Sequence, residues 1–270
     1  MTRVLITGGT SGLGFQSAMN LSKMGYEVAI TSRSEDRAKL SAEQIHGISG
    51  NEVQAYQLDL SDLDSVREFP KLFEGEIEVL LNNAGAMYST RKMSKQGIEM
   101  TLAGNHLGHF LLTNQLVDRI TPKGRIINVS SAAHNGAVFD FEDYNRERKY
   151  SMMGVYGESK LANLFFTFKL AEKLKGPTVN ALHPGFVATN FAKNNGMLYK
   201  ILLTLTRPFQ KSQKNGARTQ TYLASSDEVQ GTTGKYFVNS KVENSSAESR
   251  KRENWDRMWE LSEKLCDIQW

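Results

Sequence analysis

Short apolar runs that are typical of β-strands alternate with helix-like runs along almost the whole chain of 270 residues. This alternation predicts βαβ units, and therefore an α/β fold with a doubly wound, mainly parallel sheet and helices on both faces. Strands are predicted at Val4–Ile6, Val28–Thr31, Val53–Gln57, Val79–Leu81, Arg125–Val129, Val179–Leu182 and Tyr236–Val238. Helices are predicted at Gly12–Met24, Glu35–Ile45, Gln96–Ile120 and Val155–Leu174.

The chain shows no linker, composition break or internal repeat, so we predict a single domain over residues 1–270. Between residues 190 and 215 the alternation gives way to an apolar, partly helical insertion. Ligands of α/β sheets bind beyond the carboxyl ends of the strands, so this insertion is predicted to form a substrate lid. Alternatively, it contacts a membrane surface through one apolar face with basic edges, formed by Leu198, Ile201, Leu202, Leu205, Lys200 and Arg207.

Composition narrows the class of protein and its environment. The net charge is +4, with a sequence pI near 9.0, which suits an anionic cofactor. No dense Lys/Arg block supports a nucleic-acid partner. Cys266 is the only cysteine, and no apolar stretch approaches the ~20 residues of a membrane-spanning helix. A strand begins almost at once and leaves no room for a signal peptide, so we expect a soluble, cytoplasmic protein.

Closely spaced glycines follow the first predicted strand, in the run Thr7-Gly8-Gly9-Thr10-Ser11-Gly12-Leu13-Gly14. A strand, a glycine-rich turn and a helix together expose backbone N–H groups at the helix N-terminus. Those groups and the helix dipole bind a pyrophosphate. The run therefore predicts a dinucleotide site, with contacts from Gly8, Thr10, Ser11, Gly12, Leu13 and Gly14.

The residues after the second and third strands indicate which dinucleotide binds. An acidic residue after the second strand would bind the ribose hydroxyls of NAD. This chain has Ser32 and Arg33 there, with Arg37 one turn further on. A guanidinium pairs with a 2′-phosphate, so NADP(H) is predicted, although Arg33 could instead be a solvated surface residue. Asp59 is predicted to bind the adenine amino group or to cap the following helix.

Tyr156 and Lys160 stand one helical turn apart at the start of a long predicted helix. Positions i and i+4 share a helix face, so the ammonium is expected beside the phenol. A nearby positive charge favours phenolate and lowers the phenol pKa from about 10. The pair is therefore predicted to transfer protons near neutral pH, the alternative being a surface pair without function.

With these motifs the chain resembles the short-chain dehydrogenase/reductase family over essentially its full length. The matching residues are Thr7-Gly8-x-x-x-Gly12-x-Gly14, Asp59-Leu60, Asn82-Asn83-Ala84-Gly85, Asn105, Ser130-Ser131, Tyr156-x-x-x-Lys160, and Pro184-Gly185 with Val187 and Thr189. Within the family the chain is most similar to the retinol-dehydrogenase-like branch. That similarity rests on Asn128–His134, the wide spacing from Ser131 to Tyr156, Ser159–Asn163 and Trp259–Ser262.

The resemblance implies a Rossmann-type fold and a role for each catalytic candidate. Ser131 would polarise the substrate carbonyl, and Tyr156 would exchange a proton with its oxygen. Lys160 would hold the nicotinamide ribose and tune Tyr156. Asn105 would bind a water that relays protons to Lys160. Further cofactor contacts, to the adenosine and the nicotinamide, are implied for Leu60, Asn83, Ala84, Gly85, Pro184, Gly185, Val187 and Thr189.

The expected function is NADP(H)-dependent interconversion of a carbonyl and an alcohol. The apolar insertion favours a hydrophobic substrate such as a retinoid, a steroid or a long-chain aldehyde or ketone. Two alternatives stay open: a redox-sensing regulatory protein that binds NADPH without turnover, and a reductase of an activated C=C bond. The resemblance also implies a homo-oligomer. No metal is expected, because the spacing of His106, His109 and His134 suits no metal site.

Overall fold

A computed structural model describes residues 2–185 and 213–270. The predicted lid therefore lies almost wholly outside the described residues, apart from residues 213–215. Val187 and Thr189 lie outside them as well.

Eight strands form one sheet, in the order β3-β2-β1-β4-β5-β6-β7-β8. Strands β1 to β7 pair in parallel, and β8 pairs antiparallel to β7 at the edge. The order reverses direction between β1 and β4, which is where open α/β sheets bind ligands. The strands are β1 Arg3–Ile6, β2 Glu27–Ser32, β3 Val53–Gln57, β4 Ile77–Asn82, β5 Ile120–Val129, β6 Thr178–His183, β7 Lys235–Val238 and β8 Lys241–Glu243.

Helices cover both faces of the sheet, as predicted. They are α1 Gly12–Lys23, α2 Glu35–Ser49, α3 Leu63–Glu68, α4 Met100–Leu102, α5 Gly108–Leu116, α6 Met152–Lys173, α7 Gln213–Gly216, α8 Arg218–Ser225 and α9 Arg252–Cys266. Side chains of β1 alternate between two apolar cores: Val4 and Ile6 pack with α1, α2 and α8, whereas Leu5 packs with α3, α5, α6 and α9. Burial on both faces explains why the central strands are apolar throughout. The doubly wound, Rossmann-type α/β prediction is confirmed.

The helix predicted at Gln96–Ile120 is the main error in the element boundaries. Helical structure begins only at Met100, because the carboxylate of Glu99 accepts a hydrogen bond from the Leu102 N–H at 2.8 Å and caps the helix. A π-helical turn, Ala103–Leu107, separates α4 from α5. Helical structure ends at residue 119, since Ile120 already belongs to β5. The short α3 and the edge strand β8 were not predicted.

Helix α9 closes the face that carries α5 and α6. Trp259 is buried there, with ring centroids 5.1 Å from Phe110 and 6.2 Å from Phe166. The hydroxyl of Ser262 lies 2.8 Å from Nε2 of the buried His106. These contacts hold α9 against the helices that carry the candidate catalytic residues. None of the described helices combines the length and the apolar character needed to cross a bilayer.

Candidate active site

The glycine-rich turn joins β1 to α1 and can be built only from glycine at several positions. Gly8 and Gly12 have φ values of +67° and +57°, which favour residues without a Cβ. A Cβ on Gly14 would lie 2.4 Å from the Gly8 carbonyl oxygen. Among the described residues, the exposed Ser11 at the helix N-cap makes no side-chain capping bond, so its helix presents uncapped N–H groups. The turn therefore offers an anion site at the carboxyl end of β1.

Thr7 and Asn83 join this turn to the neighbouring strand β4. The hydroxyl oxygen of Thr7 accepts hydrogen bonds from the N–H groups of Asn83 and Ala84, at 2.9 and 3.0 Å. In return, Nδ2 of Asn83 donates to the Thr7 carbonyl at 2.8 Å. Nε2 of His109 lies 2.8 Å from the same Thr7 hydroxyl. Asn83 thus holds the backbone of the glycine-rich turn against the end of β4.

The predicted 2′-phosphate residues lie at the carboxyl end of β2. Ser32 ends the strand, and its hydroxyl accepts a hydrogen bond from the Ser34 N–H at 3.3 Å. Arg33 and Arg37 are both exposed, with Arg37 in the first turn of α2. Tyr88, which sequence reasoning missed, lies next to Arg33: burial raises the pKa of its phenol, and the Arg33 guanidinium opposes that rise. The guanidinium groups of Arg33 and Arg37 therefore lie at the carboxyl end of β2, the strand next to the one that leads into the glycine-rich turn.

Asp59 and Leu60 follow β3 with different environments. Oδ1 of Asp59 accepts hydrogen bonds from the Ser61 N–H and hydroxyl, at 2.9 and 2.6 Å. The alternative that Asp59 caps the next helix is wrong, because Asp62 is the N-cap of α3. Leu60 is buried in the core, and its carbonyl oxygen would lie 2.2 Å from a Cβ on Gly108. Leu60 therefore packs β3 against α5.

Lys160 is almost fully buried, with 2% of its surface exposed. Its ammonium donates to the Val129 carbonyl at 3.0 Å, and Nζ lies 5.7 Å from the ring centroid of Tyr156. Burial lowers the pKa of Lys160 to about 8. Tyr156 is half-buried on the same face of α6. The predicted pairing of phenol and ammonium is therefore present in the structure.

Ser131 begins a short 3₁₀ turn, Ala132–His134, directly after β5. Its hydroxyl oxygen accepts a hydrogen bond from the Ala133 N–H at 3.2 Å. The turn is pressed against α6, since a Cβ on Gly157 would lie 2.6 Å from the Ala133 carbonyl oxygen. The structure thus places the turn that Ser131 begins against α6, at the residue that follows Tyr156.

Ser130 joins β5 to α6 and β6 through two hydrogen bonds. Its hydroxyl donates to the Lys160 carbonyl at 2.7 Å, and its own N–H donates to Leu182 of β6 at 2.8 Å. Nδ2 of Asn163 donates to the Val129 carbonyl at 3.3 Å. These hydrogen bonds fix the position of α6 relative to β5, and therefore also the position of the Lys160 ammonium.

Asn105 lies in the π-helical turn, a conformation that is frequent at functional sites. Its Oδ1 accepts from the Ala86 N–H at 2.7 Å, and its Nδ2 donates to the Ala86 carbonyl at 2.9 Å and to the Ser159 hydroxyl at 3.0 Å. The side chain thus joins the segment after β4 to α6, the helix that carries Tyr156 and Lys160. The predicted water relay stays a prediction.

The remaining candidates are placed as follows. Pro184 and Gly185 leave the carboxyl end of β6, with a φ of +87° at Gly185. Gly85 follows Asn83 and Ala84 beyond β4 and is half-buried. Burial lowers the pKa of His106 to about 4 and that of His109 to about 3, so both imidazoles are neutral at pH 7. Within the described ranges, no group of His, Cys, Asp and Glu side chains could hold a metal ion.

Comparisons with known proteins identify the family of this chain. The short chain dehydrogenase family profile matches residues 2–197. The chain is 37% identical to short-chain dehydrogenase TIC 32 B, chloroplastic, of Brassica napus, over 97% of this chain and 88% of that protein. It is 36% identical to retinol dehydrogenase 12 of Mus musculus, over 99% and 87% respectively.

A solved structure of similar shape, a putative uncharacterized protein from Mycobacterium paratuberculosis, superposes with a TM-score of 0.83 and 32% identity. It covers 100% of this chain, which covers 94% of it. The profile, the relatives and the fold agree with the branch that the sequence motifs resemble. This chain belongs to the short-chain dehydrogenase family of oxidoreductases and has retinol-dehydrogenase-like relatives.

Proposed function

We propose that this protein is an NADP(H)-dependent oxidoreductase that interconverts a carbonyl and an alcohol on a hydrophobic small molecule. The observation that carries the proposal is the buried Lys160 ammonium facing Tyr156 at the carboxyl edge of the sheet. Lysine is rarely buried, because desolvation penalises its charge. A buried cation beside a phenol, next to an anion-binding turn, is an arrangement that proton transfer requires and packing does not.

The residues at the sheet edge fit a phosphorylated dinucleotide. Positive φ values at Gly8 and Gly12 and the close contact of Gly14 with the Gly8 carbonyl exclude a Cβ from the turn, and its helix offers backbone N–H groups to a pyrophosphate. Arg33 and Arg37 lie beyond β2, where an acidic residue would otherwise select NAD. Their exposed guanidinium groups support NADP(H) as the cofactor.

The bound cofactor supplies or accepts a hydride at the substrate carbon. Tyr156 donates its phenolic proton to the carbonyl oxygen during reduction and takes it back during oxidation. Ser131 donates a hydrogen bond to the same oxygen, because its Oγ already accepts the Ala133 N–H and keeps its own proton free to donate. Lys160 stabilises the phenolate form of Tyr156 through its positive charge.

The identity of the substrate is proposed from the surroundings of Tyr156 and from the relatives. Two apolar side chains are exposed close to the catalytic candidates in sequence, Val138 at 65% and Met153 at 55%. Met153 lies one turn before Tyr156 on α6. Relatives bear the name retinol dehydrogenase, which also supports a retinoid, steroid or long-chain aldehyde. Membrane contact through the insertion, homo-oligomerisation and a cytoplasmic location remain parts of the proposal.

The proposal is tested with purified protein, NADPH and a panel of aldehydes and ketones that includes nonanal and retinal. We expect NADPH oxidation, followed at the nicotinamide absorbance, with an alcohol as product. Tyr156→Phe should abolish turnover while the Kd for NADPH stays nearly unchanged. The matched control is Tyr222→Phe, which removes a hydroxyl that contacts Glu228 on the surface.

Two outcomes would overturn the proposal in favour of the alternatives. NADPH binding without oxidation across the panel would indicate a redox-sensing regulatory protein. A saturated carbonyl as the product of an α,β-unsaturated substrate would indicate a C=C reductase. Full activity in Tyr156→Phe would remove the assigned proton donor.

A further inference from the structure

Two imidazoles contact the peptide unit between Ser131 and Ala132 from opposite ends. The carbonyl oxygen of Ser131 lies 2.6 Å from Nδ1 of His134. The N–H of Ala132 donates to Nδ1 of His183 at 3.2 Å. His134 ends the 3₁₀ turn that Ser131 begins, whereas His183 ends the neighbouring strand β6. One peptide unit is therefore held from its own turn and from the next strand of the sheet.

The partners of His134 fix its tautomer. The Ser131 carbonyl can only accept a hydrogen bond, so Nδ1 of His134 carries a proton. The N–H of Ser246 can only donate, and it lies 3.1 Å from Nε2, so Nε2 is unprotonated. The ring is buried and packs edge-on against Tyr236 at 5.2 Å between centroids. His134 is therefore a neutral imidazole with a fixed direction of donation.

The direction of this peptide unit determines where the Ser131 hydroxyl points. The Ser131 Oγ accepts the Ala133 N–H at 3.2 Å, which sets its position relative to the turn. The turn cannot move towards α6, since the Ala133 carbonyl already lies against Gly157. The backbone N–H of His134 also donates to the Ser131 carbonyl at 3.1 Å, and the two imidazoles add further constraints along the peptide unit. Loss of either imidazole bond would let the unit rotate and turn the hydroxyl away.

We propose that His134 and His183 are positioning residues, which hold the Ser131–Ala132 peptide unit and thereby aim the Ser131 hydroxyl at the substrate carbonyl. This inference rests on the proposed function, because it assigns the histidines an effect that passes through Ser131. Neither imidazole needs to touch the substrate or the cofactor. Loss of either imidazole should therefore lower kcat, whereas the Kd for NADPH depends on the glycine-rich turn and should not change.

The test compares removal of each imidazole with replacement that keeps its hydrogen bond. His134→Leu and His183→Leu remove the bonds. His134→Asn keeps an amide donor near the place of Nδ1, and His183→Asn keeps an acceptor there. With NADPH and the aldehyde of the panel that turns over fastest, we expect each Leu variant to lower kcat by about 10- to 100-fold, less than loss of the Ser131 hydroxyl. Each Asn variant should recover most of that loss, with the Kd for NADPH unchanged.

A double variant separates positioning from general damage. In the Ser131→Ala background, His134→Leu should cause no further loss of kcat, because the hydroxyl that it positions is already gone. Asn180→Leu is the control for loss of a buried hydrogen-bonding side chain on the strand that His183 ends, since Asn180 contacts Thr232 and Lys235 instead. It should lower thermal stability and leave kcat within about twofold at a temperature where the protein is folded.

The outcomes distinguish this inference from the proposed function. If Ser131→Ala alone retains full kcat, the catalytic role of Ser131 fails, whatever the histidines do. If Ser131→Ala loses activity but both Leu variants keep theirs, only the positioning role fails. An equal additional loss from His134→Leu in the Ser131→Ala background would also overturn the positioning role.

Discussion

At the residue scale, burial of the Lys160 charge lowers the stability of the fold, and the proposed function explains why a lysine lies there. Its ammonium is almost fully buried, and the Val129 carbonyl is its hydrogen-bond acceptor. Desolvation lowers the pKa of Lys160 from 10.5 to about 8. A residue chosen for packing alone would carry no charge at this position. The charge lies beside the ring of Tyr156, and in the proposed function it favours the phenolate that proton transfer needs.

The lowered pKa predicts how stability depends on pH. The unfolded chain holds the Lys160 proton up to pH 10.5, whereas the folded protein holds it only up to about pH 8. The cost of burying the charge is thus fully present below pH 8, and stability rises with pH between these two values. Lys160→Met should therefore raise the free energy of unfolding at pH 7 by up to roughly 3 kcal/mol while abolishing turnover.

Urea denaturation of both proteins at pH 7 and pH 9.5 checks this prediction. The difference between them should shrink at the higher pH, because the wild-type lysine then folds uncharged. A Met variant that is less stable than wild type at pH 7 would show that the bond to Val129 outweighs the desolvation of the charge.

Arg33 determines the cofactor preference in the proposed function. Arg33 is exposed just after β2, beside the phenol of Tyr88, so its guanidinium is accessible to a 2′-phosphate. Arg33→Asp should lower kcat/KM for NADPH by about 10- to 100-fold, the value of a hydrogen bond to a charged group, and improve the use of NADH. Initial rates with both cofactors measure the change.

Lys39 supplies the control for the removal of positive charge near this edge. It is exposed on α2 and pairs with Glu35 at 2.6 Å. Lys39→Ala should leave the ratio of NADPH to NADH use unchanged, since an exposed ion pair contributes little. An unchanged preference in Arg33→Asp would refute the role of Arg33 in binding the phosphate.

At the element scale, α6 packs closely against the turn after β5, at the residue that follows Tyr156. The approach depends on Gly157, whose missing Cβ makes room for the Ala133 carbonyl. Gly157→Ala should push the turn away, lower kcat and destabilise the protein by about 1–3 kcal/mol through overpacking. Enzyme kinetics and chemical denaturation measure both effects.

Gly47 in α2 is the matched control, because a Cβ there would meet nothing within 4 Å. Gly47→Ala should stabilise the protein by about 0.5–1 kcal/mol and leave kcat unchanged, since glycine is unfavourable within a helix. Unchanged kinetics in Gly157→Ala would show that the turn can adapt without moving Ser131.

The segment that contains the π-helical turn shows which features of an element the sequence does not predict. The apolar period of the segment predicted a continuous helix from Gln96, and most of that segment is helical. Its start depends on the buried carboxylate of Glu99, and Asn105 within the turn bonds to Ala86 and Ser159. Those partners are distant in sequence and have no effect on local periodicity. The polar side chain of Asn105 in an apolar segment indicated a function, but its hydrogen-bond partners could be identified only from the folded structure.

At the scale of the whole molecule, the sequence motifs predicted the sheet, but not the contacts that join distant segments at its carboxyl edge. Gln220 of α8 is fully buried. Its Oε1 accepts from the hydroxyl of Ser17 on α1 at 2.5 Å, and its Nε2 donates to Oδ1 of Asn83 at 3.0 Å. A glutamine in a short helix gives no local sign of such a role. Three segments meet through it.

Gln220 therefore links the segment after the insertion to the glycine-rich turn. Gln220→Leu leaves the buried Ser17 hydroxyl and the partly buried Asn83 amide oxygen without this partner. We expect a loss of about 1–3 kcal/mol in the free energy of unfolding, mainly from the Ser17 hydroxyl, because water can replace the glutamine at Asn83. We also expect a higher Kd for NADPH, because Asn83 bonds to the backbone of Thr7 in the turn.

Thr221 provides the control from the same helix. Its hydroxyl accepts a hydrogen bond from Asn20 of α1 at 3.1 Å, but the pair is only partly buried, so water can replace either partner. Thr221→Val should change stability by less than about 1 kcal/mol and leave the Kd for NADPH unchanged. Urea denaturation and titration of NADPH fluorescence measure both quantities. If Gln220→Leu lost stability but bound NADPH as wild type does, α8 would support the fold without shaping the cofactor turn.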